Sequence, residues 1–167
     1  MLSEDEFYFV GVKMSGFRAR YSFEELPAVG ADDIGYHSCF FPGIMTAVGQ
    51  KGCQAGVTSI GIQSNGNVKS CLSLSDEYIE GNIRQRNLED IWRDRKSFRV
   101  YRHFQKSNLV GFCASCEYGE ICQGGCSDMA NSLTGNPYDN PYCFYRIEKG
   151  KMKGGNQNVT KQVSTAD

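Results

Sequence analysis

The sequence predicts a small α+β domain, on three observations. VTSIGIQSNGNVKSCL, residues 57–72, reads as two strands about an Asn65-Gly66 turn, because Gly and Asn tolerate the positive φ of a tight hairpin. A long helix is predicted from Asn87, where Leu88, Ile91, Trp92, Phe98 and Tyr101 recur near one face. The segment from Gly111 to Cys143 has little periodicity and much Gly, Asn, Pro and Cys. Such a loop has few apolar anchors, and a bound metal is the candidate that would order it.

In chain order, FYFVGVKM at 7–14 is aromatic and β-branched and predicts a strand. Residues 21–36 are mixed and read as irregular, with a short helical turn at Phe23–Leu26. After the hairpin, Asn87 caps the helix, with Asp90 three residues on as its carboxylate partner. Its apolar stripe reads as core. Arg84, Arg86, Arg93, Arg95, Lys96 and Arg99 form a basic run, but Glu89, Asp90 and Asp94 interleave with it, so a solvated helix face is expected rather than an RNA site. Residues from Lys149 onward are polar and Gly-rich and predict a disordered tail. In that tail the Asn158-Val159-Thr160 sequon reads as a chance match. The expected organisation is an N-terminal extension over 1–31, a domain over 32–148 and a tail over 149–167.

The totals narrow the function. At 167 residues the chain can bury a core of its own. A net charge of −1 argues against a general nucleic-acid or membrane-surface partner. No apolar run spans a bilayer, and MLSEDEFYFV lacks the basic start and apolar stretch of a signal peptide. The expectation is a cytoplasmic, reducing location, where eight cysteines favour metal over disulfides. There is no Walker loop and no Rossmann fingerprint. Two histidines, His37 and His103, leave little scope for a His-based triad.

The cysteines carry the most information. Cys53 is followed by twelve residues, Gly66, four residues and Cys71; then come Cys113-x2-Cys116-x5-Cys122-x3-Cys126 and, after a gap, Cys143. A CxxC pair converges two thiolates on one centre from a single turn. Cys122 and Cys126 need a tighter curl, which Gly124-Gly125 permits. Gly-rich turns also free backbone N–H groups to donate to cluster sulfides. The hairpin brings Cys53 near Cys71. Two zinc sites of four thiolates each remain an alternative, but zinc domains use paired C-x2-4-C knuckles and only Cys113/Cys116 makes one here. An iron–sulfur cluster tolerates wider spacing, so ligand chemistry favours iron–sulfur.

This seven-cysteine run resembles the SPASM domain, the C-terminal auxiliary-cluster module of many radical SAM peptide-modifying enzymes. The words around it strengthen the match: GCQAG at 52–56, GIQSNGNVKSCLSL at 61–74, EGNIRQRNLEDIW at 80–92, then CQGGC and NPYCFYR through Arg146. The resemblance covers about Asp32 to Arg146. It implies two [4Fe–4S] clusters, one held by Cys113, Cys116, Cys122 and Cys143, the other by Cys53, Cys71 and Cys126. Cys39, in YHSCFF, lies outside the pattern; it is the candidate fourth ligand of the second cluster, against its ordinary reading as a partly buried thiol. His37, two residues away, has the same ordinary reading, as has the pair Glu117 and Glu120 beside the cluster thiols.

The radical SAM motif C-x3-C-x2-C is absent from this sequence: Cys122-x3-Cys126-x2 ends on Met129, which supplies no thiolate. The residues before Asp32 are also far fewer than the roughly 250 of a full barrel. The resemblance therefore implies the auxiliary clusters without S-adenosylmethionine on this chain and without catalysis by it alone. The expected partner is a radical SAM enzyme or barrel domain, with a peptide as a candidate substrate. The alternatives are a piece of a larger maturase and a structural zinc module for protein binding.

Overall fold

Ser3 starts a helix where the sequence predicts a strand. In the computed structural model, which describes residues 2–27, 37–40 and 52–153, helix α1 spans Glu4–Arg20. The Ser3 backbone N–H donates to the Glu6 carboxylate at 2.8 Å and the Glu6 N–H returns to Ser3 Oγ at 3.3 Å, closing a capping box. Glu4, Asp5 and Glu6 sit at the positive end of the helix dipole, Arg18 and Arg20 at its negative end. Phe7, Tyr8, Gly11 and Val12 form a buried helical stripe, while Phe9 and Val10 face outward. The β-propensity of FYFVGVKM yields to that cap and that stripe. After α1, the Leu26 N–H donates to the Ser22 carbonyl, making the expected helical turn. Residues 28–36 lie outside the described part.

The hairpin forms as expected, with β1 at Gly61–Ile62 and β2 at Asn67–Lys69. The Gly66 N–H closes on the Gln63 carbonyl at 2.8 Å, and Gly66 takes φ 92°. Strand β3, Ile79–Asn82, adds antiparallel to β2 and completes a three-stranded sheet in the order β1-β2-β3. The sequence reading contains no counterpart to this third strand. A register break between Val68 and Lys69 turns Lys69 inward, where it is 2% exposed. Its ammonium donates to the Leu74 carbonyl and reaches Asp76 at 3.3 Å.

Asn87 caps α2, Leu88–Arg93, through the Glu89 N–H at 2.8 Å. The single long helix expected here is broken. Asp94 accepts from the Lys96 N–H at 2.9 Å, and such local side-chain bonds compete with helix continuation. Helix α3 is one turn, Arg99–Arg102, and follows Phe98, which takes a left-handed φ of 59°. Burial holds Phe98 there: it packs with Val68 and Ile91, all fully buried. Arg102 ties the break together. It donates to the Trp92 and Gly56 carbonyls at 2.6 Å each and lies over the Trp92 and Phe98 rings at 4.2 and 4.5 Å. Of the expected core stripe, Ile91, Phe98 and Tyr101 are buried and Leu88 is exposed. The basic run is a solvated, paired face, with Arg86 on Asp94 and Arg93 on Glu89.

The segment expected as loop contains three short helices, α4 (Gly111–Ala114), α5 (Gly119–Cys122) and α6 (Ser127–Thr134). Helix α7, Phe144–Lys153, then returns to α1, so residues 149–153 are helical rather than tail. Residues 154–167, with Asn158, lie outside the described part. Phe7 stacks on Tyr142 and Phe144 at 4.8 and 4.9 Å, and Val12 and Ile147 complete this core. The N-terminal segment thus shares its core with the C-terminal helix. The architecture is α+β, with seven α-helices and one small antiparallel sheet among the described residues. None of the described helices is long and apolar enough to cross a membrane.

Candidate metal centre

All eight cysteines are described and no disulfide joins them. Cys113 lies on α4, and its carbonyl accepts the Cys116 N–H at 3.2 Å, so the CxxC segment is one turn. Cys122 ends α5. Beyond it the backbone curls through Gln123, Gly124 and Gly125 at φ 56°, 88° and 80°. This is the curl expected between Cys122 and Cys126; the Gly125 N–H donates to the Cys122 carbonyl at 3.0 Å, and the Gly124 and Gly125 N–H groups oppose the rise that burial gives the Cys122 thiol pKa. Cys143 precedes α7, whose first-turn N–H groups of Tyr145 and Arg146 act on its sulfur. Three segments thereby deliver Cys113, Cys116, Cys122 and Cys143 to one cavity, also lined by Gly124, Gly125 and Asn140. Aromatic rings roof it. His37 stacks on Tyr118 at 3.8 Å, and Tyr118 meets Tyr145 edge-on at 4.9 Å. Burial lowers the His37 pKa, against a smaller opposing pull from Glu117.

The remaining thiols of the seven-cysteine run meet elsewhere. Cys53 and Cys71, one on each side of the hairpin, pack against Ala55, Leu74 and Tyr101. Cys126 caps α6 and lies close enough to Cys53 for the two sulfurs to interact electrostatically. Cys39 lies beside Glu148 on α7, which accepts its backbone N–H, and burial raises its thiol pKa, with Glu148 adding to the rise. Glu120 is exposed beside Lys106, and Glu117 accepts from the Tyr145 hydroxyl.

Burial raises the thiol pKa values: Cys113 to about 12, Cys126 and Cys143 to about 11. Backbone N–H groups oppose that rise at each: Asn140 at Cys113, Met129 and Asp128 at Cys126, Arg146 and Tyr145 at Cys143. Among the described residues no three Cys, His, Asp or Glu side chains converge closely enough to hold one metal ion. Four thiolates on one zinc must each approach to about 2.3 Å. Four thiols lining one cavity are the donor set that an iron–sulfur cluster takes. Two buried polar atoms point the same way. Asn140 Nδ2 and the Tyr101 hydroxyl lack a hydrogen-bond partner, and one belongs to each cysteine group.

Residues 53–117 match the SPASM iron-sulfur cluster-binding domain family. Over these residues the chain is similar to the SPASM domain. The match includes Cys53, Cys71, Cys113 and Cys116; the fold adds Cys122 and Cys143 to the latter pair. Relatives include an AdoMet-dependent heme synthase of Methanosarcina barkeri, 36% identical over 100 residues, 59% of this chain and 27% of the relative. Another, of Nitratidesulfovibrio vulgaris, is 33% identical over 58% of this chain and 25% of its own. Mycofactocin maturase MftC of Mycolicibacterium smegmatis is 34% identical over 53% of this chain and 22% of its own. The chain thus spans about a quarter of the length of the curated relatives it matches.

The sequence reading did not single out Asn140, Tyr118 or Tyr145 at this site, and took Tyr101 only as core. A signal for Asn140 was present in NPYC, three residues before a ligand candidate. The aromatic roof had none, since its members are far apart in sequence.

The Gly124 curl makes a testable demand. A Cβ there would stand 3.0 Å from the Tyr138 backbone, at a φ that L residues rarely adopt. Gly124→Ala is expected to cost about 1–3 kcal/mol in urea unfolding and to lower metal content, because the curl aims Cys122.

Proposed function

We propose that this chain binds two [4Fe–4S] clusters, one on Cys113, Cys116, Cys122 and Cys143 and one on Cys53, Cys71 and Cys126. The observation that carries the reading is the sorting of seven thiols into two separate groups, the first lining one aromatic-roofed cavity. The bound clusters supply one-electron storage and transfer, to or from a radical SAM enzyme or barrel domain. The chain's own residues do the rest. Thiolates hold iron, and the backbone N–H groups of Gly124, Gly125, Tyr145 and Arg146 stabilise those thiolates. His37, Tyr118 and Tyr145 keep water from the cavity. Because burial keeps the thiols protonated, iron uptake releases protons and strengthens as pH rises.

The stretch that these relatives share with the chain is a small part of each, which supports a role for this domain alongside a radical SAM enzyme or barrel domain. Their names divide between heme synthesis and mycofactocin maturation, so what they share with this chain is the cluster domain and not a substrate. A peptide is the candidate substrate class that the SPASM resemblance implies. Iron, sulfide and zinc analysis of anaerobically purified protein, with EPR after dithionite reduction, tests the reading. About eight irons per chain and two reducible clusters are expected. A colourless protein with about two zincs overturns it.

A further inference from the structure

Folded proteins rarely leave buried side-chain donors unpaired, because each costs about 1–3 kcal/mol. Two such donors occur among the described residues. Asn140 is 1% exposed and lines the cavity of Cys113, Cys116, Cys122 and Cys143. Its amide orientation is set by chemistry: Oδ1 accepts the Tyr142 N–H at 2.9 Å, which leaves Nδ2 for the other side, beside Gly125. Tyr101 is 7% exposed and packs with Cys53 and Cys71. The nearby Ser70 and Ser127 hydroxyls influence its acidity, yet neither meets hydrogen-bond geometry with it.

Both atoms are donors; Asn140 lines the cavity of one group of thiols and Tyr101 packs against Cys53 and Cys71 of the other. We propose that the Asn140 amide and the Tyr101 hydroxyl each donate to sulfur at one cluster and hold its reduction potential up, Asn140 at the Cys113–Cys143 set and Tyr101 at the Cys53–Cys71–Cys126 set. The proposal rests on the two-cluster reading above. Reduction adds negative charge that spreads over sulfide and thiolate sulfur. A donor aimed there stabilises the reduced form more than the oxidised form. Removing it lowers the potential of that cluster alone. Neither residue ligates iron, so both act by positioning a proton.

The test is an EPR-monitored dithionite titration of the anaerobic, iron-loaded chain, with iron assayed first. Tyr101→Phe is expected to keep its iron and lower one midpoint by about tenfold in the reduction equilibrium, about 59 mV for one electron. Asn140→Leu is expected to lower the other. Should Asn140→Leu fail to load, Asn140→Asp keeps the acceptor for Tyr142 and removes the donor, with the same direction expected. Should Tyr101→Phe fail to load, 3-fluorotyrosine in place of Tyr101, a stronger donor, is expected to raise the midpoint. Full iron with unmoved midpoints overturns the donor roles and leaves the two-cluster reading standing. Both midpoints moving together in every variant overturns the assignment of one donor to each set. Wild-type protein without iron removes the cluster reading, and this proposal with it.

Discussion

Cys116→Ala is expected to remove about four irons per chain and one reduced-state EPR signal, leaving the other signal in place. Cys116 shares its cavity with Cys113, Cys122 and Cys143, whereas Cys53 and Cys71 pack at Tyr101 on the hairpin side. Losing one thiolate opens the first set without touching the second. Cys71→Ala is expected to give the converse pattern. The two sets nevertheless interleave along the chain, since Cys126 follows Cys122 by a four-residue step and belongs to the other group. Far-UV circular dichroism separates ligand loss from unfolding. Retained helicity with both signals gone contradicts the partition.

Glu148→Ala is expected to be the most destabilising change away from the thiols, by about 3–5 kcal/mol, or roughly 6–20 °C in melting temperature. Glu148 is fully buried on α7. Its carboxylate accepts from the Ser38 hydroxyl at 2.6 Å, the Tyr8 hydroxyl at 3.3 Å and the Cys39 backbone N–H. It therefore joins α1, α7 and the 37–40 segment, which also carries His37 over the cavity. The substitution removes a shared acceptor and leaves a cavity where the Tyr8 hydroxyl, the Ser38 hydroxyl and the Cys39 N–H converge. Glu148→Gln keeps one oxygen and much of the volume, and about 1–2 kcal/mol is expected for it. Thermal unfolding of both variants checks the order; equal, small losses count against the network.

Much of the site was legible because cysteine spacing survives in one dimension. C-x2-C, the Gly124-Gly125 curl and the hairpin that unites Cys53 with Cys71 are all local devices. The Asn65-Gly66 turn and the Asn87 cap were legible for the same reason. The Ser3–Glu6 capping box was equally local, and reading it would have turned the predicted strand at 7–14 into the helix that forms. The Asp94 side-chain turn likewise marked the break in the predicted long helix.

What the sequence determined by itself is the inventory: a hairpin, capped helix starts, and thiols spaced for metal. Which thiols face one another, and which polar atoms face them, was decided by the tertiary structure. Tyr8 and Glu148 lie 140 residues apart, and Cys113 and Cys143 are brought to one cavity across two intervening helices. Propensity and turn chemistry act over a few residues, whereas burial depends on whatever distant surface arrives to cover a side chain. Glu148 shows the difference most simply: in the sequence it is one more charged residue near the C-terminus, and packing buried it as the acceptor shared by Tyr8, Ser38 and the Cys39 backbone N–H.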